Sequence, residues 1–263
     1  MKKSQNTINK KIFHMWPALA AIAVLLALWQ TAGSAGWVPN FMLPTPAAVI
    51  KALISDFPLL MTHAGVTLKE AFYGLLVGIA VAFVIATLMD RYEIVYRALY
   101  PIIVITQTIP TIAIAPLLVL WMGFEEAPKV TLVALTTFFP ITIGLLDGYG
   151  SVDKEAESLM LSMGANRLQI FRHLRFPASL SHFFSGLRVS ASYAVVGAVV
   201  SEWLGGFEGL GVYMTRVRKA YAFDKMFAVI VFITLVSLLL MAAVALLRRA
   251  SMPWEKYEKT QRH

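Results

Sequence analysis

The sequence predicts an all-α integral membrane protein with six transmembrane helices, and three observations support this fold class. Hydrophobic residues make up 58% of the chain and charged residues only 14%, which is far more apolar than an ordinary soluble domain. Uncharged apolar runs recur along the chain, most of them near the roughly 17 to 25 residues that cross about 30 Å of hydrocarbon. Lysine and arginine are concentrated on alternate connections between these runs, as they are in multi-pass proteins.

Six spans are predicted within a single transmembrane domain of residues 1–263, because no polar stretch is long enough to fold separately in water. The predicted spans are residues 15–32, 66–89, 98–122, 130–149, 183–204 and 226–248. The fifth is the least regular, because its uncharged part, Val189–Ser201, has only 13 residues. Extending it brings in Arg188 and Glu202 near its ends, where a long cationic side chain can snorkel and a carboxylate can meet water.

The distribution of basic residues predicts the orientation of the chain. With the N-terminus inside, sixteen of the 23 lysines and arginines lie on the inner side and seven on the outer side. The positive-inside rule therefore predicts that both termini are cytoplasmic, and it accounts for the net charge of +8 without nucleic acid as a partner. The first apolar run has 18 residues, more than a signal-peptide core, so we expect an uncleaved first helix.

Cysteine is absent and the five histidines are scattered without ligand-like spacing. We therefore expect neither a disulfide framework nor a metal site. No serine, histidine and carboxylate group recurs on one helix face, so the sequence does not indicate a membrane enzyme.

The polar stretch between the fourth and fifth spans, residues 151–177, is called here the inner segment, and it is predicted to form two short helices. Its first part repeats apolar residues at spacings of three and four, as an amphipathic helix does. These residues are Ala156, Leu159, Met160 and Met163. Gly164 permits a tight backbone, Asn166 can cap a second helix, and we expect that helix to end at Pro177. The pattern fits a projecting knob or a helix that rests on lipid.

Two groups of polar residues in the spans are candidates for a translocation pathway. They are Gln107, Thr108 and Thr111 in the third span, and Ser201 and Glu202 at the end of the fifth. Pro110 frees a backbone carbonyl in mid-membrane, which is tolerated only where protein or a wet cavity satisfies it. The alternative is a kinked packing helix whose threonines bond their own backbone. Glu202 is a functional candidate because it is ionisable, or else a solvated carboxylate at the interface.

Gly164 and the sequence Leu174-Arg175-Phe176-Pro177, which ends thirteen residues later, resemble the cytoplasmic glycine-to-Ile-x-Leu-Pro signature of binding-protein-dependent ABC importer permeases. The resemblance covers nearly the whole chain. It also includes Leu43-Pro44-Thr45-Pro46, the stretch Gln107–Leu117 and Leu120-Trp121-Met122-Gly123. One departure is Ser158-Leu159-Met160, where the family often has Glu-Ala-Ala; here Glu155-Ala156 lies about one helical turn earlier.

The resemblance implies a type I ABC importer permease fold, in which the inner segment is a coupling helix seated on a cytoplasmic ATPase subunit. The residues implied for this contact are Glu155, Ala156, Leu159, Met163, Gly164, Arg167, Phe171, Leu174, Arg175 and Pro177. No lysine in the chain directly follows a glycine, so a phosphate-binding loop is absent and the sequence predicts a transport subunit that is not itself an enzyme.

The same resemblance implies the partners of the chain. ATP and Mg²⁺ would bind to the partner ATPase, and this chain would bind no cofactor of its own. The implied assembly also contains an extracytoplasmic solute-binding protein, a second copy of the chain and membrane lipid. The resemblance implies that it lies in the inner membrane of a bacterium.

The stretches Phe183–Arg188 and Val196–Gly205 resemble most those of permeases for pyrimidine precursors of thiamine. Relatives that carry nitrate, taurine or alkanesulfonates are similar, and they remain the alternative. A secondary transporter driven by an ion gradient is the alternative from a different class. It would require carboxylates deep in the spans. Asp and Glu are absent from the uncharged runs on which the other five spans rest, Ala71–Met89 and Val130–Leu146 among them, and only Glu202 enters the fifth span once it is extended.

Overall fold

The computed structural model describes residues 2–39 and 42–254, with side chains from residue 16 onward. The predicted domain of residues 1–263 therefore includes residue 1, residues 40 and 41, and residues 255–263, which lie outside the described residues. All regular elements in the described part are helices. They are α1 (Lys2–Ser34), α2 (Pro46–Ser55), α3 (Phe57–Arg91), α4 (Glu93–Thr108), α5 (Thr111–Met122), α6 (Glu126–Gly150), α7 (Lys154–Ser162), α8 (Arg167–Ile170), a π turn (Phe171–Arg175), α9 (Phe176–Gly205), α10 (Leu210–Lys219) and α11 (Phe223–Ser251).

Five helical stretches in the described residues are long and apolar enough to cross a membrane. They are Trp16–Ser34, Phe57–Arg91, Glu126–Gly150, Arg167–Gly205 and Phe223–Ser251. The bent pair of α4 and α5 makes a sixth if it is counted as one span. The all-α membrane architecture predicted from the sequence is thus confirmed, with five to six spans.

The predicted third span, residues 98–122, is not one straight helix. Helices α4 and α5 are bent by 101° at a break between Thr108 and Thr111. Pro110 has no backbone N–H to donate, and it pushes the residue before it out of the helical region. Ile109 is accordingly extended, with φ −77° and ψ 122°. The stretch is therefore either a broken span or a re-entrant loop.

Two groups of residues form separate compact units. The first contains the described residues up to Leu59 together with Met214–Phe232. In it the Trp29 indole Nε1–H donates to the Pro44 carbonyl at 3.0 Å, and Lys225 pairs with Asp56 at 2.8 Å. The second contains Leu60–Tyr213 and the described residues from Ile233 onward. No observation tests whether the chain is a single domain, and that remains a prediction.

The core of the second unit is built on close contact between α3, α6 and α9. Gly74 and Gly78 of α3 lie directly against Val133 and Thr137 of α6, where an added methyl group would overlap either side chain. Gly148 and Gly186 allow the same approach between α6 and α9. The Gly-x-x-x-Gly spacing in the second span thus serves helix packing within one subunit. This packing fixes the two ends of α6, where the candidate functional residues lie.

Candidate functional site

The first helix of the inner segment is α7, which begins at a side-chain cap. The carboxylate Oδ1 of Asp153 accepts the backbone N–H of Glu155 at 2.9 Å. The helix is followed by Gly164, whose φ of +82° lies in the left-handed region that favours glycine. The predicted tight backbone at Gly164 is therefore present.

The second helix of the inner segment begins at Asn166, as predicted. Asn166 Oδ1 accepts the N–H of Gln169 at 2.9 Å, while Gln169 Oε1 accepts the N–H of Asn166 at 2.7 Å. These two reciprocal hydrogen bonds make a capping box. The cap fixes the direction in which the chain leaves the turn at Gly164.

The expectation that this second helix ends at Pro177 is wrong. Helix α8 passes through the π turn directly into α9, so the stretch Arg167–Gly205 is continuous. Proline lacks an N–H and would break an ordinary helical hydrogen-bond ladder. The wider π turn shifts the ladder by one residue, with the N–H of Phe176 bonded to the carbonyl of Phe171. Pro177 therefore sits in the first turn of α9, where its missing donor costs little.

Several apolar side chains of the inner segment are exposed. Leu159 is 62% exposed, Met163 77% and Leu168 73%. Glu155, Gly164 and Arg167 are also at the surface, whereas Ala156 is half-buried. Exposed large apolar residues grouped on a polar segment are typical of a protein contact. All of these positions except Leu168, which the resemblance did not imply, belong to the implied contact set.

The remaining implied contact residues are partly buried, and Arg175 has an internal role. Its guanidinium donates to Asp90 Oδ1 at 2.6 Å and to Glu157 Oε1 at 2.8 Å. Asp90 lies in the last turn of α3 and Glu157 lies in α7, so one side chain ties both elements to the π turn. Sequence reasoning missed both carboxylates as partners of Arg175.

Phe171, Leu174 and Pro177 are half-buried beside this tie. The ring of Phe171 lies 5.5 Å from that of Tyr149 at the end of α6. These residues lie on the side of the inner segment that packs against the helices, and they are not its most exposed residues.

Glu202 lies at the opposite end of α9, and its carboxylate is buried, so the alternative of a solvated carboxylate at the interface is wrong. The residue is 1% exposed. Its Oε1 accepts the Thr67 hydroxyl at 2.7 Å, and its Oε2 accepts the Gly211 N–H at 2.6 Å. We use the name buried polar cluster for His63, Thr67, Glu70, Lys129 and Glu202.

The buried polar cluster holds the start of α10. Three backbone N–H groups donate hydrogen bonds to it. Gly209 donates to His63 Nδ1 at 3.1 Å, Leu210 to Thr67 Oγ1 at 2.9 Å, and Gly211 to Glu202 Oε2 at 2.6 Å. The first N–H groups of a helix have no partner within it, and the helix dipole favours a nearby negative charge. Side chains of α3 and α9 thus supply the cap.

Gly209 completes this arrangement. Its φ of +117° is one that L side chains rarely adopt, and a side chain there would overlap the Glu202 carboxyl group. Four glycines follow the fifth span, at positions 205, 206, 209 and 211. Gly209 and Gly211 let the backbone pack directly against the buried Glu202 carboxylate.

An ion pair that the sequence did not reveal lies beside Glu202. Lys129 Nζ donates to Glu70 Oε1 at 2.6 Å, with exposed side-chain fractions of 8% and 1%. The expectation that carboxylates are absent from the other spans is therefore wrong for α3, which contains Glu70. Each of the two charges directly precedes an uncharged run, and the sequence did not indicate that either would be buried. Their opposite signs allow them to be buried together.

The predicted pathway residues do not share one environment. Gln107, Thr108 and Thr111 are exposed at the break between α4 and α5, while Ser201 and Glu202 are buried. Thr108 donates to the Ile105 carbonyl at 2.8 Å, the backbone bond expected of a packing threonine. The three residues of the third span thus remain exposed candidates, and no observation tests their contact with solute.

Replacing Lys129 with methionine tests the buried polar cluster. Removing one partner of a buried pair leaves an uncompensated carboxylate and costs about 3 to 5 kcal/mol. We expect Lys129→Met to lower the free energy of unfolding by that amount, measured by thermal unfolding of the purified protein in detergent. Lys69→Met is the matched control, because Lys69 pairs with Glu126 at 2.6 Å in an exposed position, where such pairs contribute about 0 to 1 kcal/mol. Equal losses in the two variants would contradict the role assigned to the cluster.

Comparison with known proteins gives consistent matches. Residues 74–252 match the family described as the binding-protein-dependent transport system inner membrane component. The chain is 35% identical over 257 residues to the formylaminopyrimidine transport permease protein ThiX of Halalkalibacterium halodurans, covering 97% of this chain and 99% of ThiX. It is 30% identical over 249 residues to the putative aliphatic sulfonates transport permease protein SsuC of Bacillus subtilis, covering 94% of this chain and 90% of SsuC.

A solved structure shares the fold. The inward-facing MetNI methionine ABC transporter matches with a TM-score of 0.65 at 18% identity, over 74% of this chain and 97% of the matched chain. At this identity the likeness shows the helical architecture alone.

Proposed function

This chain belongs to the family of binding-protein-dependent transport system inner membrane components, so it is a permease subunit of an ABC importer. We propose that its inner segment is the surface that a cytoplasmic ATPase subunit contacts. One combination of features supports this proposal. Leu159, Met163 and Leu168 are exposed on the inner segment, and the Arg175 ion pairs hold that segment to the end of α3. A contact surface transmits motion only if it is held rigidly to the spans.

In this proposal the partner ATPase subunit hydrolyses ATP. The sequence contains no phosphate-binding loop, and the inner segment offers a surface of leucine, methionine and arginine. ATP and Mg²⁺ would bind to the ATPase, whose closure would push on α7 and, through Arg175, on α3 and α9.

The rest of the proposed assembly follows from the two ends of α6. Helix α6 has 25 residues, or about 37 Å at 1.5 Å per residue, and the inner segment follows its last residue. If the inner segment is cytoplasmic, as are the termini by the positive-inside rule, the start of α6 faces the outside. An extracytoplasmic binding protein would deliver solute at that end, and a second copy of the chain would complete the pathway within the lipid bilayer.

For the solute we propose a pyrimidine precursor of thiamine. Support comes from the relative ThiX, whose name gives formylaminopyrimidine as its cargo and which aligns over nearly all of both chains. The sulfonate permease SsuC is less similar but also aligns over most of its length, so sulfonates, with taurine and nitrate, are the second candidate.

A cavity at the start of α6 favours the first candidate. It measures about 520 Å³, and its charged lining residues are Glu70, Glu125, Glu126, Glu208 and Lys129. This excess of negative charge would repel a sulfonate or nitrate, whereas a neutral or cationic pyrimidine would tolerate it. The cavity lies at the end of α6 opposite the inner segment, which is the end proposed to receive solute.

Replacing Met163 with glutamate tests the ATPase contact. A carboxylate buried in an apolar interface is costly to desolvate, so we expect co-purification of the ATPase to fall at least about tenfold, which corresponds to about 1.4 kcal/mol. Ile94→Glu is the control, because Ile94 is also an exposed apolar residue, at 83%, but lies outside the inner segment. Full retention of the ATPase by Met163→Glu, with normal membrane insertion of both variants, would contradict the proposed contact.

The solute can be tested with the importer reconstituted together with its binding protein. We expect formylaminopyrimidine to stimulate ATP hydrolysis and to be transported, and taurine, alkanesulfonate and nitrate to do neither. The physical reason is the negative cavity at the start of α6. Selective uptake of a sulfonate would transfer the proposal to the second candidate, and ATP-independent movement of any solute by this chain alone would overturn the importer function itself.

A further inference from the structure

A second cavity lies beside the inner segment and is larger, at about 730 Å³. Its wall contains Arg91, the last residue of α3, and Arg167, the first residue of α8. Leu161, Leu168 and Phe171 form part of the same wall. The cavity is therefore cationic and apolar at once, and it is bounded both by the end of a membrane span and by the segment proposed to contact the ATPase.

The charges in this wall are not balanced. The two carboxylates that line it, Asp90 and Glu157, are both hydrogen-bonded to Arg175. Arg91 and Arg167 form no ion pair with any residue that the structure describes, although Arg91 lies over the ring of Tyr92 at 5.4 Å. Two guanidinium groups thus face one cavity without a carboxylate of their own.

Guanidinium groups recognise phosphate strongly, because their planar N–H donors match two phosphate oxygens. The apolar side chains in the same wall suit the glycerol and first methylenes of a lipid better than they suit a free anion. The cavity also lies where α3 ends, which is where a spanning helix reaches the headgroup layer. Basic pockets between transmembrane helices on the cytoplasmic side are a known setting for anionic headgroups.

We propose that this cavity binds the phosphate headgroup of an anionic phospholipid from the inner leaflet. The proposal rests on the cytoplasmic position given to the inner segment under the proposed function. A headgroup held by both Arg91 and Arg167 joins the end of α3 to the start of α8. It adds to the tie made by Arg175 and makes the position of the inner segment depend on the lipid.

The test uses the purified full-length chain without ATPase or solute, and it measures retention of phosphatidylglycerol and phosphatidylcholine by native mass spectrometry. Arg91→Gln combined with Arg167→Gln should weaken phosphatidylglycerol retention roughly thirtyfold, from about 1 kcal/mol per basic residue, and leave phosphatidylcholine unchanged. Arg97→Gln is the control, because Arg97 is exposed, pairs with Glu93 at 2.9 Å and does not line the cavity. Elution of each variant from size-exclusion chromatography at the same volume as the unmodified chain shows that the variant is folded.

Unchanged phosphatidylglycerol retention in the double variant would overturn the proposal. So would displacement of the lipid by millimolar inorganic phosphate, which would show that a free anion suffices. Because neither ATPase nor solute is present, failure here leaves the permease function intact. Loss of ATPase binding in Met163→Glu, in turn, says nothing of the lipid.

Discussion

Arg175 joins three elements of the structure through one side chain. It donates to Asp90 at the end of α3 and to Glu157 in α7, and it sits in the π turn that leads into α9. The three charges are partly buried, with exposed side-chain fractions between 19% and 28%, so water weakens their interaction less than at an open surface. Through this side chain α7, which carries the exposed Leu159, is held to the end of α3 and to the π turn.

The other end of α9 is fixed by the buried polar cluster. Glu202 accepts hydrogen bonds from Thr67 of α3 and from the start of α10, and the Glu70–Lys129 pair joins α3 to α6 beside it. A single long helix therefore carries a polar tie at each end, with close glycine contacts between α6 and α9 in the middle. In the proposed function, these ties would let α9 carry a push at the inner segment to its opposite end as a rigid body.

The fold class and the local chemistry of the inner segment were predictable from the sequence. The glycine at 164 and the asparagine at 166 act through their own backbone and nearest neighbours, so their functions are visible in a short window. Pro177 misled the prediction because a π turn compensates for its missing donor, and that turn has no sequence signature. The burial of Glu70 and Lys129 as a pair was not predicted, because pairing across 59 residues depends on tertiary structure. The acidic cavity at the start of α6 was equally hidden, since it gathers residues from α3, α6 and the segment before α10.

Transport per ATP hydrolysed is the measurement that bears most directly on the role of Arg175. In the reconstituted importer, Arg175→Leu should retain the ATPase on the membrane and its hydrolysis of ATP, because the exposed apolar residues of the inner segment are untouched. Solute moved per ATP should fall several-fold, because α7 would lose its tie to α3 and α9. Arg172→Leu, an exposed neighbour, should leave the ratio unchanged. An unaltered ratio in Arg175→Leu would contradict the account.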